Sequence, residues 1–184
     1  FNARMTVVAG TSTGQILYVD EDEGGDFDDW SSLTGNSDDY FYNPLAVRGV
    51  NQRLYTFASV YSDGAYDGIY LNKTDSSGDW ENNWENVSAG SQEPFVPVKM
   101  VSARAFNKLW IIALDEKGHL HQKVQKPDGT WLDWESDKFP DIKAKGIDLI
   151  YSPHSDSLYL VFIDFNSDSA GYFEKPNGEG WSGD

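Results

Sequence analysis

Gly25-Asp26-Phe27-Asp28-Asp29-Trp30, Gly78-Asp79-Trp80-Glu81-Asn82-Asn83-Trp84, Gly129-Thr130-Trp131-Leu132-Asp133-Trp134 and Gly178-Glu179-Gly180-Trp181 are four versions of one phrase. Their leading glycines recur about every 50 residues, a period typical of repeat and propeller architectures. Reading backwards from Gly129, an apolar run at Leu109–Leu114 is followed by Asp115-Glu116-Lys117-Gly118 and then by the alternating run His119–Val124. Short apolar or alternating runs bounded by Asp and Gly read as strands joined in a hairpin. The same order recurs at Met5–Ala9 with Gln15–Val19, Leu54–Ala58 with Gly68–Leu71, and Leu158–Ile163 with Ala170–Glu174. Three units carry a further apolar run in front, at Pro44–Val50, Val96–Ala103 and Ala144–Tyr151. Four strands per unit make the blade of a β-propeller, and no stretch repeats apolar residues at helical spacing. The expected fold is all-β: one propeller domain over 1–184, with blades of about 50 residues near 1–38, 39–92, 93–139 and 140–184.

The first and last blades are incomplete. The first lacks a leading strand, and the fourth stops at Asp184 while its last strand should still be running. Open rows of blades leave unpaired strand edges, which soluble proteins avoid. Three readings follow: the ends pair and close a four-bladed ring, which is preferred; a second copy completes the circle as a homo-oligomer; or the chain is a fragment of a longer propeller. Phe1 in place of an initiator Met favours a processed or excised chain, although Met5 is an alternative start after a tag.

Composition narrows the partners. The net charge of −16, from 30 acidic against 14 basic residues, opposes nucleic acid, whose phosphates require Lys and Arg clusters. It opposes anionic membrane surfaces equally. No apolar run approaches the roughly 20 residues of a membrane span. With no Cys there are no disulfides or thiolate metal sites, which leaves the compartment open; a secreted, extracellular location is the expectation. Asn72-Lys73-Thr74 and Asn86-Val87-Ser88 are glycosylation sequons.

Catalysis is not expected. His119 and His121 share a face of one predicted strand, and nothing at nearby spacing supplies a third zinc ligand. A glycosidase needs two carboxylates at a set separation, and 30 acidic residues make any pair imaginable. Thr74-Asp75-Ser76-Ser77-Gly78-Asp79-Trp80 is only loosely similar to the Asp-box of sialidase-type propellers, and arginines are few: Arg4, Arg48, Arg53 and Arg104. A glycoside hydrolase-like propeller is the third-ranked reading. No cofactor is required. The acidic loop from Asp20 to Asp29 suggests Ca²⁺ held by Asp20, Asp22, Asp26 and Asp28, since calcium takes alternating oxygen ligands; a solvated acidic hairpin turn is the alternative, and Ser31 stands where an EF-hand would place its bidentate Glu.

The recurring aromatics carry the functional expectation. Sugar C–H groups stack on the electron-rich face of an aromatic ring while neighbouring polar groups bind hydroxyls. Residues i and i+2 of a strand share a face, so the third strands offer Tyr18 with Asp20, Tyr70 with Asn72, His121 with Lys123 and Tyr172 with Glu174. Trp80, Trp131 and Trp181, just after the turn, are expected to be exposed. Trp30, Trp84 and Trp134, further along the last strand, lean towards packing between blades but remain candidates for ligand contact.

An apolar strand, an Asp/Asn-Gly turn, a strand carrying Tyr or Glu, and then Gly-x-Trp-x-x-Trp together resemble the blades of β-propeller lectins from fungi and bacteria. The segment from Leu158 to Asp164 through Tyr172-Phe173-Glu174-Lys175-Pro176-Asn177-Gly178-Glu179-Gly180-Trp181 is similar to a blade of the fungal fucose-binding lectins. That resemblance implies a sugar-contacting glutamate and tryptophan at Glu174 and Trp181; the family's second-strand arginine is missing here. The leading expectation is a multivalent lectin whose partners are glycans, weak linked sites gaining avidity from one another. The runner-up is a propeller acting as a protein-interaction or oligomerisation module, its tryptophans buried and its acidic surface keeping it soluble.

Overall fold

A computed structural model describes residues 5–22, 24–35, 37–81, 83–88, 95–136, 138–139 and 142–183; Phe1, Arg4, Glu23, Asn82 and Asp184 lie outside this set. Among the described residues there is no helix, and the strands form four antiparallel sheets of three or four strands. The chain divides into two compact units, Phe1–Val47 with Arg53–Val87, and Arg48–Gln52 with Ser88–Asp184.

In the first unit, β1 (Thr6–Gly10), β2 (Ile16–Asp20) and β3 (Ser31–Ser32) make one sheet, and β4 (Tyr40–Arg48), β5 (Leu54–Ser62), β6 (Ala65–Lys73) and β7 (Glu85–Asn86) make the next. Among the described residues the first sheet has three strands, in the order β1-β2-β3. Ile16, Leu33, Phe41, Ala58, Val60 and Trp80 form a core shared by the two sheets. β5 alternates little and is buried along most of its length, as a strand flanked on both edges and covered on both faces must be.

In the second unit, β8 (Pro97–Ala105), β9 (Lys108–Asp115) and β10 (Leu120–Gln125) form one sheet. Its fourth strand is reduced to bridges from Gln125 to Trp131 and from Gln122 to Glu135. β11 (Ala144–Ser152), β12 (Ser157–Asp164), β13 (Ala170–Pro176) and β14 (Ser182–Gly183) form the last sheet. One face of each meets in a core of Trp110, Ile112, Leu114, Leu120 and Val124 against Leu158, Leu160, Phe162, Ile147 and Phe173.

The repeated phrase is a hairpin. Asp22, Asp75 and Lys126 each donate their backbone N–H to the residue four places on, at 2.7, 2.8 and 2.8 Å. Gly25, Gly78 and Gly129 carry the positive φ (87, 100 and 87°) that closes the turn, a conformation only glycine adopts without strain. The aromatic two places later bridges back to the end of the third strand: Phe27 to Glu21, Trp80 to Thr74, Trp131 to Gln125. One local geometry thus explains the Gly-x-aromatic spacing in three of the four phrases. The fourth strands that follow are only two residues long where they are regular, at β3, β7 and β14.

Candidate functional site

An open aromatic cleft lies in the first unit, away from the repeated phrase. Tyr40 and Tyr42 stand two apart on β4, Tyr61 ends β5, and Asn43 and Gly64 complete the lining of a cleft of about 540 Å³. Tyr40 and Tyr42 are exposed. The Tyr42 and Tyr61 rings meet edge-on at 5.5 Å and 86°, and Tyr66 of β6 extends the row, 5.5 Å from Tyr61. Edge-to-face contacts of this kind hold rings in fixed orientations.

Local chain geometry builds this row. Asp63 and Gly64 both have positive φ, 52 and 77°, the two-residue turn whose twist matches its strands. It joins Ser62 to Ala65, and a register shift between Val60 and Tyr61 places Tyr61 opposite Tyr66. Such a bulge re-aims a side chain. On the other side, Gly14 (φ 76°) admits Tyr40: a Cβ at Gly14 would stand 2.7 Å from a Tyr40 ring carbon, and Gly14 O accepts the Phe41 N–H at 2.8 Å. The Tyr66 hydroxyl is buried and has no hydrogen-bond partner among the described residues. Burial, with Tyr61 and Asp67 nearby, raises the pKa of that phenol, so it stays protonated as a donor. The cleft therefore offers flat apolar rings beside neutral polar groups, with no charge among its lining residues.

The tryptophans are distributed differently from the expectation. Trp80, expected to be exposed, is 9% exposed and packs in the core with Tyr18 against it at 5.7 Å. Its bridge to Thr74 fixes which face it occupies, and that face is the one turned to the neighbouring sheet. Trp30, expected to pack, is 51% exposed and neighbours exposed Phe27 beyond the same turn. Trp134 is buried, as the packing reading held, with the Phe95 ring edge-on at 5.2 Å and Lys123 Nζ 5.5 Å above it. Trp84 is half-buried and donates its indole N–H to Leu33 O at 3.0 Å; Trp131 is also half-buried.

Trp181 and Glu174 are not brought together. Trp181 packs on the second unit's core beside Trp110 and Phe139 and donates to Gln122 Oε1 at 2.8 Å. Glu174 lies one residue from Phe173, which belongs to that core, so alternation turns Glu174 to the opposite face, where it accepts the Tyr159 O–H at 2.9 Å. Tyr172 shares that face and is exposed. Tyr70 is half-buried and its hydroxyl donates to Asp67, while its neighbour Asn72 is fully buried, which seals that sequon in the folded chain; Asn86 is exposed.

His121, expected with Lys123 to offer a ring beside a polar head to a ligand, is buried. Its ring stacks on Phe95 at 3.7 Å and 2°, and Nε2 lies 3.1 Å from Asp115 Oδ2. Burial, only partly opposed by Asp115, lowers its pKa, so at neutral pH it is an uncharged donor to that carboxylate. Lys123, its i+2 partner, is buried too, and burial lowers its pKa.

The acidic loop is held by its own backbone. Asp22 Oδ1 accepts the N–H groups of Gly24 and Asp26 at 2.7 and 3.0 Å, and Asp20 Oδ1 accepts Thr6 Oγ1–H at 2.5 Å. Asp75 does the same in the phrase that begins at Gly78, accepting three N–H groups. Among the described residues no group of three or more His, Asp or Glu side chains is placed to hold a metal ion, Asp20, Asp22, Asp26 and Asp28 included.

The sequence reading missed Tyr40, Tyr42, Asn43, Tyr61 and Gly64. The available signal was the Tyr40-x-Tyr42 alternation beside the Asp63-Gly64 turn, both outside the recurring phrase. No protein-family model matches the chain, and no curated protein matches its sequence.

Proposed function

We propose that this chain is a non-catalytic carbohydrate-binding protein whose four sheets are β-propeller blades, and that it takes a saccharide in the cleft of Tyr40, Tyr42 and Tyr61. The observation that carries this reading is a cleft lined by three tyrosines, two of them (Tyr42 and Tyr61) braced edge-on, with an asparagine and a turn glycine at its edge. Its volume lies within the range of small-ligand sites and suits a short oligosaccharide. The rings supply stacking surfaces for C–H patches. Asn43 and the phenol groups supply donors and acceptors for hydroxyls. The uncharged lining favours neutral sugars.

Exposed Trp30 and exposed Phe27 each offer a further stacking ring beside the first sheet, which keeps multivalent binding within the proposal. Trp80 and Trp134 are core residues in this reading and contribute stability alone.

A glycan array on the purified chain, with and without EDTA, identifies the ligand class and tests for calcium. Tyr42→Ala and Tyr61→Ala each remove a stacking ring, and the expected loss is about tenfold in affinity, corresponding to about 1.4 kcal/mol. Trp134→Phe is expected to leave affinity unchanged. Absence of binding to every glycan, or binding indifferent to both tyrosine substitutions, rejects the assignment.

A further inference from the structure

The outer side of the β11–β13 sheet carries an apolar surface that the cleft does not use. Its meaning emerges from aligning the two sheets of the second unit. The Asp115 N–H bonds to His119 O across the β9–β10 turn as the Asp164 N–H bonds to Ser169 O across the β12–β13 turn. Both leading strands shift register at the same place, between Pro97 and Lys99 and between Ala144 and Gly146. In this alignment Trp110, Ile112 and Leu114 correspond to Tyr159, Val161 and Ile163, and Gln122 corresponds to Tyr172.

The first set lies under the neighbouring sheet. Trp110, Ile112 and Leu114 pack on Leu158, Leu160 and Phe162 in one core, and Gln122 accepts the Trp181 N–H. The second set is open: Val161 is 37%, Ile163 42% and Tyr172 46% exposed, with Ile150 and Phe165 exposed beside them. The last sheet thus repeats the docking face of the sheet before it and leaves that face uncovered.

The covering side has its own uncovered counterpart. By the same turn alignment, with the Thr11 N–H bonded to Gln15 O, Leu158 and Leu160 correspond to Met5 and Val7 of the first sheet. Leu158 and Leu160 are fully buried, whereas Met5 and Val7 are 57% and 37% exposed.

We propose that the outer face of β11–β13 is an interface that docks the β1–β3 sheet of a second copy of this chain, in the stacking by which β11–β13 itself covers β8–β10. The interface continues an arrangement the chain already makes, with the same register and the same kinds of side chain in contact. It is heterologous, each copy offering one face and retaining the other. A net charge of −16 per copy opposes the association, so screening salt strengthens it.

Sedimentation velocity on the full chain over a wide concentration range, at low and high NaCl, tests this. The expected result is concentration-dependent self-association that tightens with salt. Ile163→Asp and Val7→Asp, each at an exposed position that the fold tolerates, are expected to weaken it at least about tenfold, since burying an unpaired charge costs more than the roughly 1.4 kcal/mol of that factor. Far-UV circular dichroism and thermal melts confirm that both variants are folded. Each variant alone stays monomeric, but an equimolar mixture forms a dimer, because one intact face survives on each partner. Tyr42→Ala, in the cleft, leaves association unchanged. A wild-type monomer at every concentration and salt overturns the proposal and leaves the face to a partner of other chemistry; so does self-association that Ile163→Asp does not weaken.

Discussion

Asp115 gathers several polar contacts in the second unit. Oδ1 accepts the N–H groups of Lys117 and His119 at 2.9 and 2.8 Å, while Oδ2 faces His121 Nε2 at 3.1 Å and His119 Nδ1 at 3.3 Å. Burial pushes its pKa up, but the hydrogen bonds from His121 and the His119 backbone outweigh it and hold the carboxyl below its ordinary value of 3.8. His121 is lowered by burial, so the unfolded chain takes up a proton there before the folded one does. The stability that neutral His121 contributes is present above about pH 6.5 and is lost as pH falls below it. The Asp115 contribution persists to lower pH and is lost only below about pH 3.8. Urea midpoints measured against pH should therefore decline from about pH 6.5 downwards, and His121→Gln should remove that first decline; an unchanged profile in the variant counts against the assignment. Asp115→Ala strands the buried His121 ring and removes the acceptor of the Lys117 and His119 N–H groups, and is expected to cost about 2–4 kcal/mol. Lys123 illustrates the converse. Its buried cation rests over the Trp134 ring, and because desolvating a charge offsets most of what it gains, Lys123→Met should leave urea stability unchanged or higher. A loss of more than about 2 kcal/mol would show the cation to be held by stronger partners than burial suggests.

The hairpins show how much of each element is legible in the chain. Leu109–Leu114 reads as a buried strand, and β9 spans Lys108–Asp115, because six consecutive apolar residues between turn signals leave few alternatives. The third strands and their Asp/Gly turns are equally legible, and the four sheets follow the recurring order of runs. The facing of the tryptophans was not legible. Trp80 and Trp30 both follow a turn glycine, but Trp80 occupies the bridge position that Phe27 holds in the phrase at Gly25, while Trp30 stands just before β3. Since alternate residues face opposite ways, a difference of a few positions decides core or solvent, and spacing alone does not say which face the next sheet covers. The cleft was hidden for another reason: Tyr42 and Tyr61 come from different strands, and their contact depends on the bulge at Val60 and Tyr61. Turn chemistry gives a test at this scale. Phe106 and Asn107 both carry positive φ, 55 and 56°, between Ala105 and Lys108. Phe106 is held by Trp110 and Tyr151, edge-on at 6.4 and 5.8 Å, but Asn107 is exposed. Asn107→Gly should stabilise by about 0.5–1 kcal/mol in a two-residue turn of this type, read as a higher urea midpoint at constant slope. A lower midpoint would show that Asn107 contributes contacts beyond the turn.

At the scale of the whole molecule, an excess of 16 negative charges is spread over two compact units. Self-repulsion of that size weakens the folded state, so thermal stability should rise with NaCl, most steeply at low salt where the screening length changes fastest. A melting temperature independent of salt would mean that the charges are already compensated locally. The same acidity makes an uncharged cleft stand out, because its lining presents tyrosine rings and an asparagine instead of carboxylates. The most direct test is an NMR titration of the labelled protein with the best ligand from a glycan array. Saturable shifts centred on Tyr40, Tyr42, Asn43, Tyr61 and Gly64, weakened about tenfold in Tyr61→Ala, are the predicted result; shifts centred elsewhere, or none with any glycan, would contradict it.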